Sequence, residues 1–255
     1  FYFLSINANL NNIFYNHTKV RESTINTQVP DHEETYSYGS IRNIIHRYRL
    51  KKIRKLSFNH FQNKTTYADF GCSNGYVTDF IIKDNKFEDS IGFDFIPELI
   101  DEGNSRFNFE IKHLDLNQGI SPGQFENVSC FETLEHVTDL DKSIKTITDS
   151  INKGGKGIIS VPIEIGFVGI LKYLTKVLIF RYSLEELTGK NIFWRYFVSL
   201  IKNERISKYR VLKGNKEWCW HFGFDYRDVR DVLDNHNVKF VEKIKGTTAI
   251  FLIEK

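Results

Sequence analysis

The sequence contains no methionine, and it has only three cysteines and four prolines. An open reading frame begins with methionine, so we interpret these 255 residues as a fragment or as a chain from which methionines were lost; in the second case a motif spacing would be short by one. Cys72, Cys130 and Cys219 show neither paired nor metal-type spacing, which predicts a reducing compartment. The opening residues FYFLSINANLNN have no basic region and are polar by residue 5, so we expect no signal peptide and a cytoplasmic location.

A strong charge of either sign and a long apolar run are also missing. The net charge is +3, and hydrophobic and charged residues make up 41% and 26% of the chain, as in ordinary soluble globular proteins. Such a balance does not predict a nucleic-acid partner. The most apolar stretch, GFVGILKYLTKVLIF, is interrupted by Lys172 and Lys176 and is shorter than the roughly 20 residues of a spanning helix. We therefore expect no transmembrane segment, and peripheral contact with the inner membrane face stays open.

Strand-like and helix-like segments alternate along the chain. Strands are predicted at 65–70, 90–95, 109–114, 127–131 and 155–162, followed by a closing strand pair at 238–244 and 248–254. Helices are predicted at 40–56, 76–83, 96–107, 140–151 and 226–236. This alternation predicts an α/β fold in which helices cover both faces of a mostly parallel sheet, with ligands bound at the carboxyl ends of the strands.

Residues 165–217 interrupt the alternation. They carry eleven Lys and Arg against four Asp and Glu, an excess of +7, and they are rich in aromatic residues. We predict a helical lid insertion there. The predicted organisation is an N-terminal arm and helix (1–60), a ligand-binding core (61–164), the basic aromatic lid insertion (165–217), and a C-terminal helix and strand pair that complete the core (218–255).

The stretch YADFGCSNGYVTDF, residues 67–80, has the composition of a ligand-binding loop. An apolar strand reaches Asp69, and Gly71 and Gly75 precede a helix whose first N–H groups are free. The stretch lacks the Lys-Ser/Thr of a P-loop and the middle glycine of the dinucleotide motif. S-adenosylmethionine is a third ligand that such a loop can hold, by its amino-acid end.

Acidic residues near the ends of two later strands extend this pattern. Asp94 lies in IGFDF, where a carboxylate can bind ribose hydroxyls, and Asp115 lies in IKHLDLN, placed for an adenine amine with Leu116 against the ring. Together with CFETLEHVTDLDKSI after the fourth strand, residues 65–162 resemble the class I S-adenosylmethionine-dependent methyltransferases. Aspartates and glycines are also common cap and turn residues, so a purely structural role for each of them stays open.

The resemblance implies a Rossmann-like, doubly wound, mostly parallel seven-stranded sheet with an antiparallel C-terminal strand, and S-adenosylmethionine as the cofactor. The implied cofactor contacts are Asp69, Gly71, Cys72, Ser73, Gly75, Asp94, Phe95, Asp115, Leu116 and Glu132.

A second cluster follows in ETLEHV. On a helical turn, Glu132, Glu135 and His136 would share one face, as expected of a hard-metal or acid–base site. Similar motifs bind a divalent ion in ubiquinone-type and small-RNA 2′-O-methyltransferases, and the RNA group adds a distal histidine whose context is similar to that of His221 in WHFGFDYRD. The resemblance implies a Mg, Mn or Zn site at Glu132, Glu135, His136 and His221. Without a metal, the expected catalytic residues are Glu132, His136 and His221, with one histidine as general base, or else both histidines are structural.

The acceptor is predicted from the insertion. Its aromatic rings suit sugar or base faces and its cations suit phosphates, or else the rings form the core of the lid and the cations a solvated face. IEIGFVGILKYL and HFGFDYRDVRDVL resemble bacterial methyltransferases of surface-glycan synthesis. We therefore expect O-methylation of a sugar hydroxyl in a phosphate-bearing or lipid-linked glycan precursor. The alternatives are a quinone-type small molecule, an RNA-end 2′-hydroxyl, and a non-enzymatic cofactor-binding scaffold.

Overall fold

In the computed structural model, the described residues are 41–175, 192–210, 212–213, 218–219 and 222–255. The predicted N-terminal arm, the centre of the insertion and His221 lie outside the described residues. No helix within the described ranges combines the length and the apolar character needed to cross a bilayer.

The described residues form seven α-helices. They are α1 (Ile41–His60), α2 (Tyr76–Asn85), α3 (Pro97–Arg106), α4 (Leu140–Asp149), α5 (Gly166–Leu174), α6 (Phe193–Ile201) and α7 (Tyr226–Asn235). Several begin at residues that favour helix starts. The Asp139 and Asp225 carboxylates accept hydrogen bonds from backbone N–H groups in the first turns of α4 and α7, and α3 begins at Pro97.

The same ranges contain nine β-strands. They are β1 (Thr66–Phe70), β2 (Asp89–Asp94), β3 (Glu110–His113), β4 (Phe125–Phe131), β5 (Ile151–Pro162), β6 (Leu212–Lys213), β7 (Trp218–Cys219), β8 (Lys239–Lys245) and β9 (Thr248–Glu254). Strands β6 and β7 pair only with each other. The other seven form one sheet in the order β3-β2-β1-β4-β5-β9-β8.

The predicted fold class is confirmed. Strands β1 to β5 pair in parallel, whereas β9 pairs antiparallel with both β5 and β8. The chain steps outward from β1 to β3, then returns to the other side of β1 at β4. Ligands of doubly wound sheets bind at such a reversal, beyond the carboxyl ends of the strands. The residues after β1, β2 and β4 therefore form the candidate ligand-binding edge of the sheet.

Helices cover both faces of the sheet. Along β9, Ile250 and Leu252 point to a cluster that includes α1 and α2, whereas Ala249, Phe251 and Ile253 point to a larger cluster that includes α4 to α7. This period of two is what a strand buried on both faces requires.

Several described residues of the insertion belong to the larger cluster. Tyr173 of α5 and Tyr196 of α6 are buried, and their rings lie 5.1 Å apart between centroids. Tyr196 also stacks on Phe222, with the ring centroids 4.3 Å apart. These aromatic residues are therefore core residues, as one of the two sequence interpretations held. The role of 165–217 as a lid stays a prediction.

One strand boundary differs from its prediction. β5 begins at Ile151 rather than at residue 155, so Gly154 lies inside the strand and not before it. The register between β4 and β5 shifts near Phe125 and Asn127, and Gly154 has φ +84°. A glycine-containing irregularity in a strand is read from sequence as a turn, which explains the late start predicted for β5.

Candidate active site

Asp69, next to the end of β1, lies beneath the loop that follows this strand. Its side chain is buried, and its two carboxylate oxygens accept hydrogen bonds from Ser129 Oγ at 2.6 Å and Thr78 Oγ1 at 2.5 Å. Burial raises the pKa of Asp69 to about 6, although the two hydroxyl donors oppose this rise. Because both oxygens have internal partners, Asp69 ties the loop to α2 and β4, and its direct contact with a cofactor stays a prediction.

Both glycines of the loop have left-handed backbone conformations. Gly71 has φ +72°, and a Cβ there would lie 2.3 Å from the side chain of Thr133. Gly75 has φ +81° immediately before α2, and a Cβ there would lie 2.7 Å from the ring of Phe109. Glycine is the residue that satisfies both the backbone angle and the close packing at these two positions, so the loop conformation depends on both glycines.

We predict that Gly71→Ala lowers the free energy of unfolding by roughly 2–5 kcal/mol, the sum of a left-handed alanine and an overpacked contact with Thr133. Gly154→Ala is the matched control, because Gly154 also has a positive φ but an added Cβ meets nothing within 4 Å. The control should cost about 1–2 kcal/mol, from backbone strain alone. Denaturant titration of both variants tests this, and equal losses would show that the Thr133 contact is unimportant.

Asp94, the last residue of β2, joins two loops through backbone donors. One carboxylate oxygen accepts from Ser73 N at 2.7 Å, and the other accepts from Phe95 N at 2.8 Å and Ile96 N at 3.0 Å. The Phe95 ring lies 5.5 Å from the His113 ring between centroids. Asp94 therefore stands at the carboxyl ends of β1 and β2 together, where the sequence places a ribose-binding carboxylate.

The loop after β3 is organised by Asp115 and Asn117. Asp115 accepts a hydrogen bond from Asn117 N at 2.9 Å and caps a short 3-10 turn, and Leu116 is buried in the larger core cluster. Asn117 Oδ1 in turn accepts from Thr138 N at 2.8 Å and Asp139 N at 3.0 Å. Sequence reasoning did not select Asn117, although it joins the loop after β3 to the segment before α4.

The segment after β4 is not the helical turn predicted for ETLEHV. Glu132 has φ +51°, which is incompatible with a right-handed helix, and residues 134–136 form a turn in which His136 N donates to Thr133 O at 2.9 Å. Thr133 Oγ1 also donates to Gly71 O at 3.3 Å. The predicted common helical face of Glu132, Glu135 and His136 was therefore wrong, and the segment packs instead against the loop after β1.

Glu132 forms an ion pair with Arg49 of α1, the first helix of the described residues. Arg49 Nη1 of α1 lies 2.7 Å from Glu132 Oε2, and Ser160 Oγ of β5 donates to Glu132 Oε1 at 3.3 Å. Burial raises the pKa of Glu132, and the charge of Arg49 opposes this rise. Burial and the neighbouring Glu132 raise the pKa of Glu135 well above its usual range. The Glu132 side chain is 19% exposed and Glu135 only 1%, so Glu132 is the more accessible of the two carboxylates.

A second ion pair borders these carboxylates. Lys172 of α5 donates to Glu164 Oε1 and to Ile163 O, both at 2.9 Å. Glu164 follows β5 and is buried, and Lys172 lowers the pKa of Glu132 by its charge. The carboxyl ends of β4 and β5 thus carry three carboxylates and two cations in a partly buried setting.

The predicted metal site is not assembled by the described residues. Within them, no group of three or more His, Cys, Asp and Glu side chains is arranged to hold a metal ion, and Glu132 is engaged by Arg49. Glu135 is buried and His136 is partly buried on the turn. His221, the fourth predicted ligand, lies outside the described residues. A metal contribution from His221 stays a prediction.

Arg210, which sequence reasoning missed, holds the turn after β4 in place. Its Nη2 donates to Val137 O at 2.6 Å and to Leu134 O at 3.3 Å, and its guanidinium lies 5.3 Å from the Phe224 ring. An added Cβ on Gly223 would lie 2.5 Å from Arg210 N. The insertion therefore supports the candidate site directly, and a basic residue in a charged segment gave no signal of this role.

The loop after β1 fits a small polar ligand such as S-adenosylmethionine. Gly71, Ser73 and Gly75 all have positive φ, which turns this backbone sharply. Ser73 Oγ is buried and has no hydrogen-bond partner among the described residues, a state that a polar ligand corrects. Asp94 uses three of about four carboxylate lone-pair sites. Cys72 is buried, and burial raises the pKa of its thiol well above the usual range, so it packs as a neutral side chain.

Comparison with known proteins identifies the family. The family model described as a methyltransferase domain matches residues 41–229. No curated protein sequence is similar enough to this chain to count as a relative.

Solved structures of low sequence identity share the fold. A magnesium protoporphyrin IX methyltransferase from Synechocystis PCC 6803 with bound SAH has 14% identity and a TM-score of 0.56, covering 94% of this chain and 99% of its own. An S-adenosylmethionine-dependent methyltransferase from Clostridium acetobutylicum has 12% identity and a TM-score of 0.52, covering 95% and 98%. An O-methyltransferase family protein from Burkholderia thailandensis has 11% identity and a TM-score of 0.52, covering 83% of this chain, which spans 56% of that protein.

Three observations point to the same family: the glycine loop, the seven-stranded sheet with its antiparallel strand β9, and the family match. The chain belongs to the class I S-adenosylmethionine-dependent methyltransferases.

Proposed function

We propose that this methyltransferase methylates a hydroxyl group of a sugar or glycan precursor. The observation that carries the proposal is Glu132, a partly exposed carboxylate with a raised pKa, whose neighbour Thr133 donates to Gly71 O in the loop after β1. An oxygen nucleophile must lose a proton during methyl transfer, and a carboxylate with a raised pKa is a stronger base than an exposed one. A carbon or amine acceptor would need this group less.

We assign some residues to binding of the cofactor and others to deprotonation of the acceptor hydroxyl. S-adenosylmethionine supplies a methyl group activated by its sulfonium; transfer to the hydroxyl oxygen forms a C–O bond, breaks a C–S bond and releases one proton. We assign Asp94 to the ribose hydroxyls, the loop from Gly71 to Gly75 to the amino-acid end, and Leu116 to the adenine ring. Glu132 accepts the proton, and Arg49 keeps its carboxylate in a fixed orientation. His136 and His221 stay alternative bases.

Exposed aromatic rings on α5 and α6 support a sugar acceptor. Phe167 of α5 and Trp194 of α6 are 81% and 69% exposed, although each helix packs one face into the core through Tyr173 or Tyr196. Flat rings of this kind stack on the apolar faces of sugars. Arg195 of α6 and Lys202, the residue after this helix, are also exposed, and neither forms an ion pair within the described residues, so they suit a phosphate-bearing acceptor.

A lipophilic acceptor of the quinone type is the second candidate. Trp194, Val198 and Ile201 are exposed at positions i, i+4 and i+7 of α6, and Leu171 of α5 is exposed as well. A solvent-facing apolar stripe beside cations is typical of helices that rest on a membrane surface, where such an acceptor would be taken up. A peripheral contact of this kind would also suit a lipid-linked glycan.

The experiment is a methyl-transfer assay with radiolabelled S-adenosylmethionine and four acceptor classes: a nucleotide sugar, a polyprenyl-diphosphate-linked sugar, a prenylated phenol and an RNA with a free 3′ end. We expect label on a sugar hydroxyl. The Asp94→Ala variant serves as the control that separates this activity from a contaminating enzyme. Label only on the prenylated phenol would select the second candidate, and label on an amine or a carbon atom would contradict O-methylation.

A further inference from the structure

A cavity of about 320 Å³ lies between α1 and the turn that joins β8 to β9. Its lining includes Arg49, Lys52, Ile53, Lys245, Thr247 and Ile250. The volume falls at the lower end of the range of small-ligand pockets, roughly 300–1,000 Å³. The cavity is therefore large enough for part of a ligand, such as one headgroup and a short apolar segment.

The cavity opens at the same end of the sheet as the candidate active site. Thr248 pairs with Pro162 at the carboxyl end of β5, and Thr247 O accepts a hydrogen bond from Ile163 N at 2.8 Å. Arg49 lines the cavity and also contacts Glu132 at 2.7 Å. A molecule in the cavity thus reaches the residue to which we assign proton removal through a single intervening side chain.

The lining surface is almost wholly apolar, and three basic side chains line it with their non-polar atoms. Ile53 and Ile250 belong to the buried cluster on the α1 face of the sheet and form the floor. Arg49 and Lys52 approach from α1 and Lys245 from β8, and the lining includes no acidic residue. Lys52 Nζ lies 5.0 Å from the centre of the Tyr48 ring, which keeps the ammonium beside the cavity. Within the described residues, neither Lys52 nor Lys245 forms an ion pair.

We propose that this cavity binds the anionic headgroup and adjoining apolar chain of the methyl acceptor, so that the acceptor is an amphiphilic phosphate or carboxylate. The assignment to the acceptor rests on the proposed function, whereas the binding itself does not require methyl transfer. Two lysines without a carboxylate partner draw the anion, and the isoleucine floor removes the apolar chain from water. Arg49 couples the bound headgroup to Glu132.

The binding test uses 1-octyl phosphate, with inorganic phosphate and 1-octanol as the separated parts. Calorimetry should show octyl phosphate binding at least 10-fold more tightly than either part. The double variant Lys52→Gln/Lys245→Gln should weaken it about 10-fold or more, and Thr247→Trp should abolish it by filling the cavity. The matched control Lys51→Gln/Lys243→Gln removes the same charge from the same two elements at positions outside the lining, and it should bind within 2-fold of the unmodified protein.

Equal weakening by the two double variants would overturn the proposal, because it would mean attraction to general positive charge. Binding of inorganic phosphate as tight as that of octyl phosphate would overturn it as well. Sedimentation with phosphatidylglycerol vesicles distinguishes the two sources of the anion. If the Lys52→Gln/Lys245→Gln variant alone fails to sediment with the vesicles, the cavity binds a lipid in the bilayer. If this variant and the unmodified protein sediment equally, and the unmodified protein binds octyl phosphate, the cavity binds a soluble acceptor.

Failure of this proposal is distinguishable from failure of the proposed function. Octyl phosphate binding in the cavity without transfer to any hydroxyl would leave the cavity as an anion site and refute O-methylation. Transfer to a sugar hydroxyl with a KM that is unchanged in Lys52→Gln/Lys245→Gln would keep the function and refute the cavity's role. S-adenosylhomocysteine affinity should be the same in all these variants, which confirms that the cofactor loop is intact.

Discussion

Asp94→Ala is expected to weaken S-adenosylmethionine binding by roughly 10- to 150-fold, about 1.5–3 kcal/mol, because a charged hydrogen-bond acceptor for the ribose hydroxyls is removed. Part of the loss is indirect, since Asp94 also accepts from the backbone N–H groups of Ser73, Phe95 and Ile96. Calorimetry with S-adenosylhomocysteine measures the affinity, and a thermal melt in its absence measures the indirect part.

The control for this prediction is Asp101→Ala. Asp101 is an exposed residue of α3, so its substitution by alanine removes the same charge from the same region of the protein without changing the loop after β1. Asp94→Asn keeps one acceptor oxygen and should lose less affinity than Asp94→Ala. A folded Asp94→Ala variant with unchanged affinity would contradict the cofactor role and leave Asp94 as a backbone anchor.

Glu132→Gln is expected to lower kcat by about 10²- to 10⁴-fold, the usual contribution of a general base, with S-adenosylhomocysteine affinity changed far less. The pH profile is the more specific measurement. A general base acts when deprotonated, and burial raises the pKa of Glu132, so the rate of the unmodified enzyme should fall as pH drops through that raised pKa. Glu132→Gln should lose this acidic limb together with most of the rate.

Two companion variants define what the result means. Glu98→Gln, at an exposed position of α3, should behave like the unmodified enzyme. Arg49→Gln removes the cation that opposes the rise, so the acidic limb should move to higher pH while activity persists above it. Full activity of Glu132→Gln would move the base assignment to His136 or His221. An acidic limb that is unchanged in Arg49→Gln would show that the ion pair does not act on the titrating group.

The sheet could be predicted from sequence because each strand and helix has a pattern of apolar and polar residues that is visible within its own segment. All seven strands of the main sheet lie within a few residues of their predicted positions, since alternation and apolar runs depend only on neighbours in the chain. Asp94 lies at the end of β2 and the two glycines lie between β1 and α2, as the sequence predicts, and Ser73 of the glycine loop donates its N–H to Asp94.

The connections between these residues could not be predicted in the same way. Arg49 meets Glu132, Asn117 meets Thr138, and Arg210 meets Val137 only after the chain has folded. No periodicity marks a residue whose partner lies in another element. The helical face expected of ETLEHV failed for a related reason: the spacing i, i+3, i+4 was present, but a left-handed residue at Glu132 has no signature in a polar segment.

The position of β9 has a consequence for how the protein is made. β5 is the longest strand of the sheet, and its residues from Ile158 to Pro162 are buried. One edge of β5 is covered by β4, which precedes it, but the other edge is covered by β9, which the ribosome synthesises only after the whole insertion and α7. A nascent chain therefore carries an open, apolar strand edge through the synthesis of that long segment, and such edges pair readily with other chains. Any lengthening of the insertion prolongs this exposure, so chaperone dependence should grow with insertion length even where the finished enzyme is equally stable.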